Sequence, residues 1–287
     1  MSAGGRSPGR AGRLDAGRSS PAGEPARARA IGCPPPRWRA VDDADALPPV
    51  CILAGGLGTR LGERTRATPK PLIEVAGEPF VYHQLRLLAA HGTREVVLCV
   101  GHLGTQIQER VGGERFGLHV AYSFDSPGLD GTLGAIRRAR GLLGERFLVL
   151  YGDTYLRLDY AAAAAGWRAS GLPAMMTVLR NDARWETSNA DYTAGRVVAY
   201  DKHAPSRSMR WIDYGLEGLT AAALDCAPSH ANDLADLLRE LAREGLLYGF
   251  EARKRFHEIG TPRTLAETDA FLRARARRGD PTADGLP

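Results

Sequence analysis

The sequence predicts an α/β protein, a Rossmann-like three-layer sandwich with a mostly parallel mixed sheet. Two observations carry this. Short apolar runs such as Val50-Cys51-Ile52-Leu53-Ala54 and Phe147-Leu148-Val149-Leu150-Tyr151 are continuous rather than alternating, which suits strands covered on both faces. Segments of about a dozen residues with helical spacing separate them, so the chain reads as βαβ units.

The elements follow in order. Residues 1–48 are rich in Gly, Pro, Ala, Ser and Arg without apolar periodicity, and are expected to be a disordered tail. After Met1 the next methionine is Met175, so a shorter product would start at a codon such as that of Val41 or Val50. Residues 50–54 form a strand closed by Gly55-Gly56. Residues 79–91 place Phe80, Leu85, Leu87 and Leu88 at helical spacing and stop at Gly92. A strand at 95–100, a helix at 103–111, a strand at 119–123 and a helix at 131–143 follow. The strand at 147–151 ends in Gly152-Asp153. In the second half, 174–179 is a strand and 189–202 a hairpin turning at Ala194-Gly195. Residues 211–219 are extended, 232–244 a helix capped by Asn232, and 247–253 a strand. Residues 262–277 close the body as a helix, with Thr261 as N-cap and Pro262 at its first position. One domain is expected over 49–278, followed by a second disordered tail at 279–287. No internal period is present.

Charge and cysteines narrow the function. Net charge is +5, but residues 1–48 hold eight arginines against five acidic residues, leaving only +2 for the remaining 239. Such a balanced body does not suit nucleic acid. No apolar run approaches the roughly 18 residues of a membrane span, and the first residues do not show the apolar core of a secretory signal. Cys33, Cys51, Cys99 and Cys226 are far apart without a C-x-x-C, which reads as reduced thiols in a cytoplasmic protein.

The strongest motif is Leu53-Ala54-Gly55-Gly56-Leu57-Gly58-Thr59-Arg60-Leu61, followed by Pro69-Lys70-Pro71-Leu72. Glycines at the carboxyl end of a strand let backbone N–H groups approach phosphate oxygens, and this is where open α/β sheets place ligands. Arg60 and Lys70 add cations beside that cradle. A Rossmann fingerprint would need a third glycine where Leu61 stands, and a P-loop would need G-K-[ST], which is absent. Lys70 is one of only three lysines among 38 basic residues, which points to a place where a compact ammonium is wanted.

These residues resemble the signature of sugar-phosphate nucleotidyltransferases, G-G-x-G-T-R-L followed by P-K-P-L, over roughly residues 49–275. The resemblance implies the nucleotide-diphospho-sugar transferase fold and a reaction of type EC 2.7.7. A nucleoside triphosphate and a sugar 1-phosphate give a nucleotide sugar and pyrophosphate, with Mg2+ as cofactor. It assigns the triphosphate to Leu53, Ala54, Gly55, Gly56, Gly58, Thr59 and Arg60, with Arg60, Lys70 and Asp153 catalytic. Asp153, at the end of an apolar strand, becomes a metal ligand, since magnesium takes one or two carboxylates plus phosphates. Glu258 stands where the family's D-x-G-T-P has aspartate, in His257-Glu258-Ile259-Gly260-Thr261-Pro262, and is the second ligand.

The stretch from Asp125 to Ala135 is similar to the family's base loop, which puts Gly131 and Thr132 near the base. Family E-K and N-A-G segments correspond to Asp201-Lys202 and Asp213-Tyr214-Gly215, so Asp201, Lys202, Asp213 and Gly215 are the sugar-phosphate candidates. Both acidic departures suggest an acceptor other than glucose 1-phosphate. From His102-Leu103-Gly104 onward the chain looks closest to heptose 1-phosphate guanylyltransferases and N-acetylmuramate 1-phosphate uridylyltransferases, which favours GTP. The rival readings are cytidylyl transfer to a non-sugar phosphate, a non-catalytic nucleotide-binding protein, and nucleic-acid binding through the basic tail. Sugar, base, pathway and any homo-oligomer are left open.

Overall fold

The computed structural model describes Met1 and residues 47–125, 131–228 and 231–278. The expectations of disorder at 1–48 and 279–287 fall almost wholly outside these residues, as does the stretch between Asp125 and Gly131.

Strand β1 (Val50–Leu53) runs into the glycine loop, where single 3-10 turns at Thr59–Leu61 and Lys70–Leu72 flank the short helix α1 (Arg64–Ala67). A small hairpin of β2 (Glu74–Val75) and β3 (Glu78–Pro79) leads to α2 (Phe80–Ala90). Then come β4 (Glu95–Val100), α3 (Gly104–Val111), β5 (Glu114–Arg115), β6 (Leu118–Phe124) and α4 (Gly131–Leu143). They are followed by β7 (Arg146–Tyr151), β8 (Thr154–Tyr155), α5 (Tyr160–Ser170) and β9 (Ala174–Arg180). The second half adds β10 (Ala190–Thr193), β11 (Arg196–Tyr200), β12 (Trp211–Thr220), α6 (Ala221–Asp225) and α7 (Leu234–Arg243). It ends with β13 (Leu247–Ala252), β14 (His257–Glu258) and α8 (Pro262–Arg277).

Ten strands form one sheet in the order β10-β11-β13-β9-β12-β7-β1-β4-β6-β5. Strands β6, β4, β1 and β7 are mutually parallel, and β9 and β13 are parallel to each other. Strand β12 sits between these groups, antiparallel to both neighbours. Seven of the ten strands thus run in one direction, while β12 at the centre and β11 and β5 toward the two edges run against them.

Alternation along each strand builds two cores. Val50 and Ile52, Val96 and Leu98, and Leu148 and Leu150 pack on one face with helices α2, α3, α5 and α8. Cys51, Val97, Phe147, Val149 and Met176 pack on the other with α4, α6 and α7. That is the three-layer arrangement expected when continuous apolar strands are covered twice. Cys51 and Cys99 are free, buried thiols with their sulfurs 3.3 Å apart.

Two expectations need correction. The N-cap of α7 is Asp233, not Asn232: its carboxylate accepts the Ala235 amide, while the Asn232 carbonyl is taken by the Leu133 amide. Helix α5 was not anticipated, because Ala161–Ala165 offers helix propensity without an apolar stripe. The turn at Ala194-Gly195 is as expected, both residues having positive φ (49° and 79°). Thr261 caps α8 through a reciprocal pair with Thr264.

Burial holds three histidines below their usual pKa: His83, His91 and His257, the last at about 4, where Arg255 and Arg157 add to the effect. The unfolded chain, whose histidines titrate near about 6.5, then binds more protons than the folded one below that pH. Stability is expected to fall as pH drops from 6.5 toward 4. Tm measured at about pH 7.5 and about pH 5 checks this, and His257→Phe, which preserves the stack on Phe271, should flatten the slope.

Candidate active site

The carboxyl ends of β1, β4, β6 and β7 meet at one edge of the sheet. Backbone bonds lock them together: the Ala54 amide donates to the Cys99 carbonyl (2.8 Å), and the Gly152 amide to the Leu53 carbonyl (3.0 Å). Two glycines permit the close approach. A Cβ on Gly152 would stand 2.6 Å from the Leu53 carbonyl oxygen, and one on Gly55 would stand 2.5 Å from the Asp125 carboxylate. The result is a cleft of about 510 Å³. Every residue expected to meet the nucleotide lines its wall, and so do Lys70 and Asp153.

Charge converges at one end of this cleft. The Lys70 ammonium donates to the Asp153 carboxylate at 2.6 Å, with the two side chains 12% and 25% exposed. Strand β14 pairs with β8, setting Glu258 beside Thr154, and the Ile259 amide donates to the Asp153 carbonyl at 2.9 Å. Burial and then the Asp153 charge push the Glu258 carboxyl above its ordinary pKa. Arg60 closes the group: its guanidinium and the Glu258 carboxylate both lie within 3.5 Å of where a Cβ on Gly260 would be. Among the described residues no three His, Cys, Asp or Glu side chains form a ready-made metal cage. Two neighbouring carboxylates, with one already neutralised by lysine, instead suit a divalent cation whose other ligands come from phosphates.

The acceptor candidates do not line the cleft; they form a second wall behind it. Lys202 donates to Asp233 at 3.1 Å, and Asp233 in turn accepts from the Thr132 hydroxyl at 3.0 Å. That hydroxyl accepts the Leu234 amide at 2.7 Å. One carboxylate thus ties Lys202 to the N-termini of both α4 and α7. Burial opposes the charge on Asp233, but the Ala235 amide and Lys202 outweigh it and hold its pKa low. Gly215 lies against the Tyr151 ring, and Asp213 accepts from Tyr200 (3.2 Å) and from the Gly215 amide (2.9 Å). Asp201 turns into its own loop, accepting the amides of His203 and Ala204.

A family model described as nucleotidyl transferase matches residues 50–189. The N-acetylmuramate alpha-1-phosphate uridylyltransferase of Neisseria meningitidis serogroup B is 41% identical over 234 residues, 78% of this chain and 97% of that protein. The chain belongs to the nucleotidyl transferase family. The nucleotidyltransferase is also 40% identical over 149 residues to the CMP-5'-(3-aminopropyl)phosphonate synthase of Streptomyces rubellomurinus. That match covers 48% of the chain and 24% of the synthase, so the chain spans about a quarter of that relative's length. HddC from Yersinia pseudotuberculosis, solved with GMP-PN, shares the fold at a TM-score of 0.65 and 24% identity, covering 79% of the chain and 100% of HddC.

Several residues of the nucleotidyltransferase cleft escaped sequence reasoning. Asp125 and Tyr151 line it beside the glycine loop. Asp125 had a signal, an acidic residue at the end of a strand before a glycine-rich turn, whereas Tyr151 reads as the last apolar residue of β7. Behind the cleft, Asp233 and Glu217 had none, since a cap and a strand carboxylate ordinarily face water.

Proposed function

We propose that this nucleotidyltransferase joins a nucleoside triphosphate to a sugar 1-phosphate, giving a nucleotide sugar and pyrophosphate. The observation that carries the reading is the Lys70–Asp153 pair at the mouth of a glycine-lined cleft. The resemblance places GTP first among donors, and the Neisseria relative's name makes UTP the second to test. The free thiols of Cys51, Cys99 and Cys226 support a cytoplasmic site of action.

The chemistry is an in-line displacement at the α-phosphorus by an oxygen of the sugar phosphate. The backbone of Gly55, Gly56 and Gly58 cradles the triphosphate, and Arg60 stabilises the charge that grows on pyrophosphate as it leaves. Lys70 sits where it can bridge the attacking and transferred phosphates. Gly131 and Thr132 are assigned to the base and Lys202, Asp213 and Gly215 to the acceptor, while Asp201 holds the turn that follows Lys202. Mg2+, held by Asp153 and Glu258 with phosphate oxygens completing its shell, would supply further charge stabilisation when bound. No general base is required, because a sugar phosphate is already anionic near neutral pH.

Pyrophosphate release with four triphosphates against a panel of sugar 1-phosphates tests the proposal. Release requiring one base, one sugar phosphate and Mg2+ is expected; nucleotide binding without release from any pair would sink it. A second reading, cytidylyl transfer to a non-sugar phosphonate, is favoured by the Streptomyces relative. Turnover of CTP with a phosphonate, and of no sugar 1-phosphate, would select it.

Asp233→Asn isolates the link between the two walls. Asparagine caps helices as well as aspartate does, so Tm should hold. Lys202 loses its anion, and the acceptor KM should rise roughly tenfold, the worth of one charge-assisted contact at about 1.4 kcal/mol. Initial rates against acceptor concentration measure this; an unchanged KM would remove Asp233 from acceptor positioning.

A further inference from the structure

The acceptor wall is short of a cation. Asp213, Glu217 and Asp233 gather there with Tyr151 and Tyr200. Lys202, the cation facing them, is already held by Asp233 at 3.1 Å. Glu217 is 0% exposed, and neither of its carboxylate oxygens accepts a hydrogen bond from an N–H or a hydroxyl among the described residues; it can bond only to the Asp213 carboxyl, and only when the pair holds a proton. Strand β12 shifts register between Asp213, opposite Val178, and Glu217, opposite Met176. Val178 and Met176 belong to the same core, so both carboxyls rise on one face of the sheet and lie against each other. Asp213 stays partly open while Glu217 is sealed behind it. Tyr151, beside both, is also part of the cleft wall. Burial pushes both carboxyls toward the protonated form, and the Asp213 charge adds to the effect on Glu217.

We infer that the acceptor carries an ammonium group, seated on Asp213, with Glu217 behind it setting the preference for that charge. The inference rests on the reading of this wall as the acceptor side. An ammonium brings what the wall lacks, a positive charge and three donors. A hydroxyl brings one donor and no charge, leaving two buried carboxyls competing for a proton. An amino sugar 1-phosphate and an aminoalkyl phosphonate share this chemistry.

The test compares kcat/KM within matched pairs: glucosamine 1-phosphate against glucose 1-phosphate, and 3-aminopropylphosphonate against propylphosphonate. The amine member of one pair should be preferred by at least about tenfold, and the pair that responds names the source. Glu217→Gln and Asp213→Asn should each bring that ratio to within roughly threefold of unity. Glutamine keeps the size of Glu217 and can donate to Asp213, so a purely structural role would leave the ratio where it was. Equal efficiencies, a preference for the amine-free member, or an unchanged ratio in folded Glu217→Gln would overturn the inference. Turnover of amine-free sugar 1-phosphates alone would overturn it while leaving nucleotidyl transfer to sugars standing. Turnover of no acceptor at all would remove both.

Discussion

Replacing Asp153 with asparagine is expected to lower kcat for pyrophosphate release by roughly 10³-fold while leaving nucleotide affinity within about threefold. The side chain follows Gly152 at the end of β7, where the backbone is fixed by the Gly152–Leu53 and Ile259–Asp153 bonds. Asparagine matches the shape, so these bonds persist. What disappears is the charge that faces Lys70 at 2.6 Å and Glu258 across the β8–β14 pair. The glycine loop is untouched, so the nucleotide still docks. Pyrophosphate release and a separate nucleotide titration distinguish the two effects. Activity within about tenfold of the wild type would mean that Asp153 has no part in the transition state.

Lys70→Met should cost about 10²-fold or more in kcat. Methionine fills the same slender volume but leaves the Asp153 carboxylate without its ammonium partner, beside the Glu258 carboxyl on which its charge acts. Lys70→Arg should not rescue, because a planar fork does not reproduce a compact charge in a side-chain position only 12% exposed. A second readout is independent of turnover. With the lysine gone, no ammonium competes for Asp153, so added Mg2+ should raise Tm more in Lys70→Met than in the wild type. An equal or smaller shift would argue that Asp153 and Glu258 do not bind the ion together.

The cleft that is the candidate nucleotide site was legible because its determinants are local. A strand, the loop glycines, Arg60 and Lys70 within the twenty-one residues from Val50 to Lys70 announce their own geometry, and Gly152-Asp153 announces itself by ending an apolar run. Helix α8 was legible for the same reason: Thr261-Pro262 marks its start wherever the rest of the chain lies. The acceptor wall was harder, since it depends on which strand lies beside which. Asp213 and Glu217 are four residues apart in a stretch that reads only as extended, and nothing local reveals that β12 runs backwards between β7 and β9. Asn232 and Asp233 are both good caps by composition. The choice fell to Asp233 because Thr132 and Lys202, from distant parts of the chain, meet it there. Helix α5 carried end signals in Asp159 and Gly171. Its alanine run, lacking a periodic stripe, hid them.

The central reversed strand has a consequence for inheritance. The wall around the glycine loop is encoded between Leu53 and Asp153, whereas the wall around Lys202 is encoded between Asp201 and Asp233. The two stretches do not overlap, and the family model's match ends at residue 189, before the second begins. The two walls nevertheless meet at Thr132 and Tyr151, which belong to the first stretch and stand against Asp233, Asp213 and Glu217 of the second. If the two walls hold donor and acceptor as proposed, a lineage that trades acceptors while keeping its donor must preserve this seam, Thr132 on Asp233 and Tyr151 beside Asp213 and Glu217.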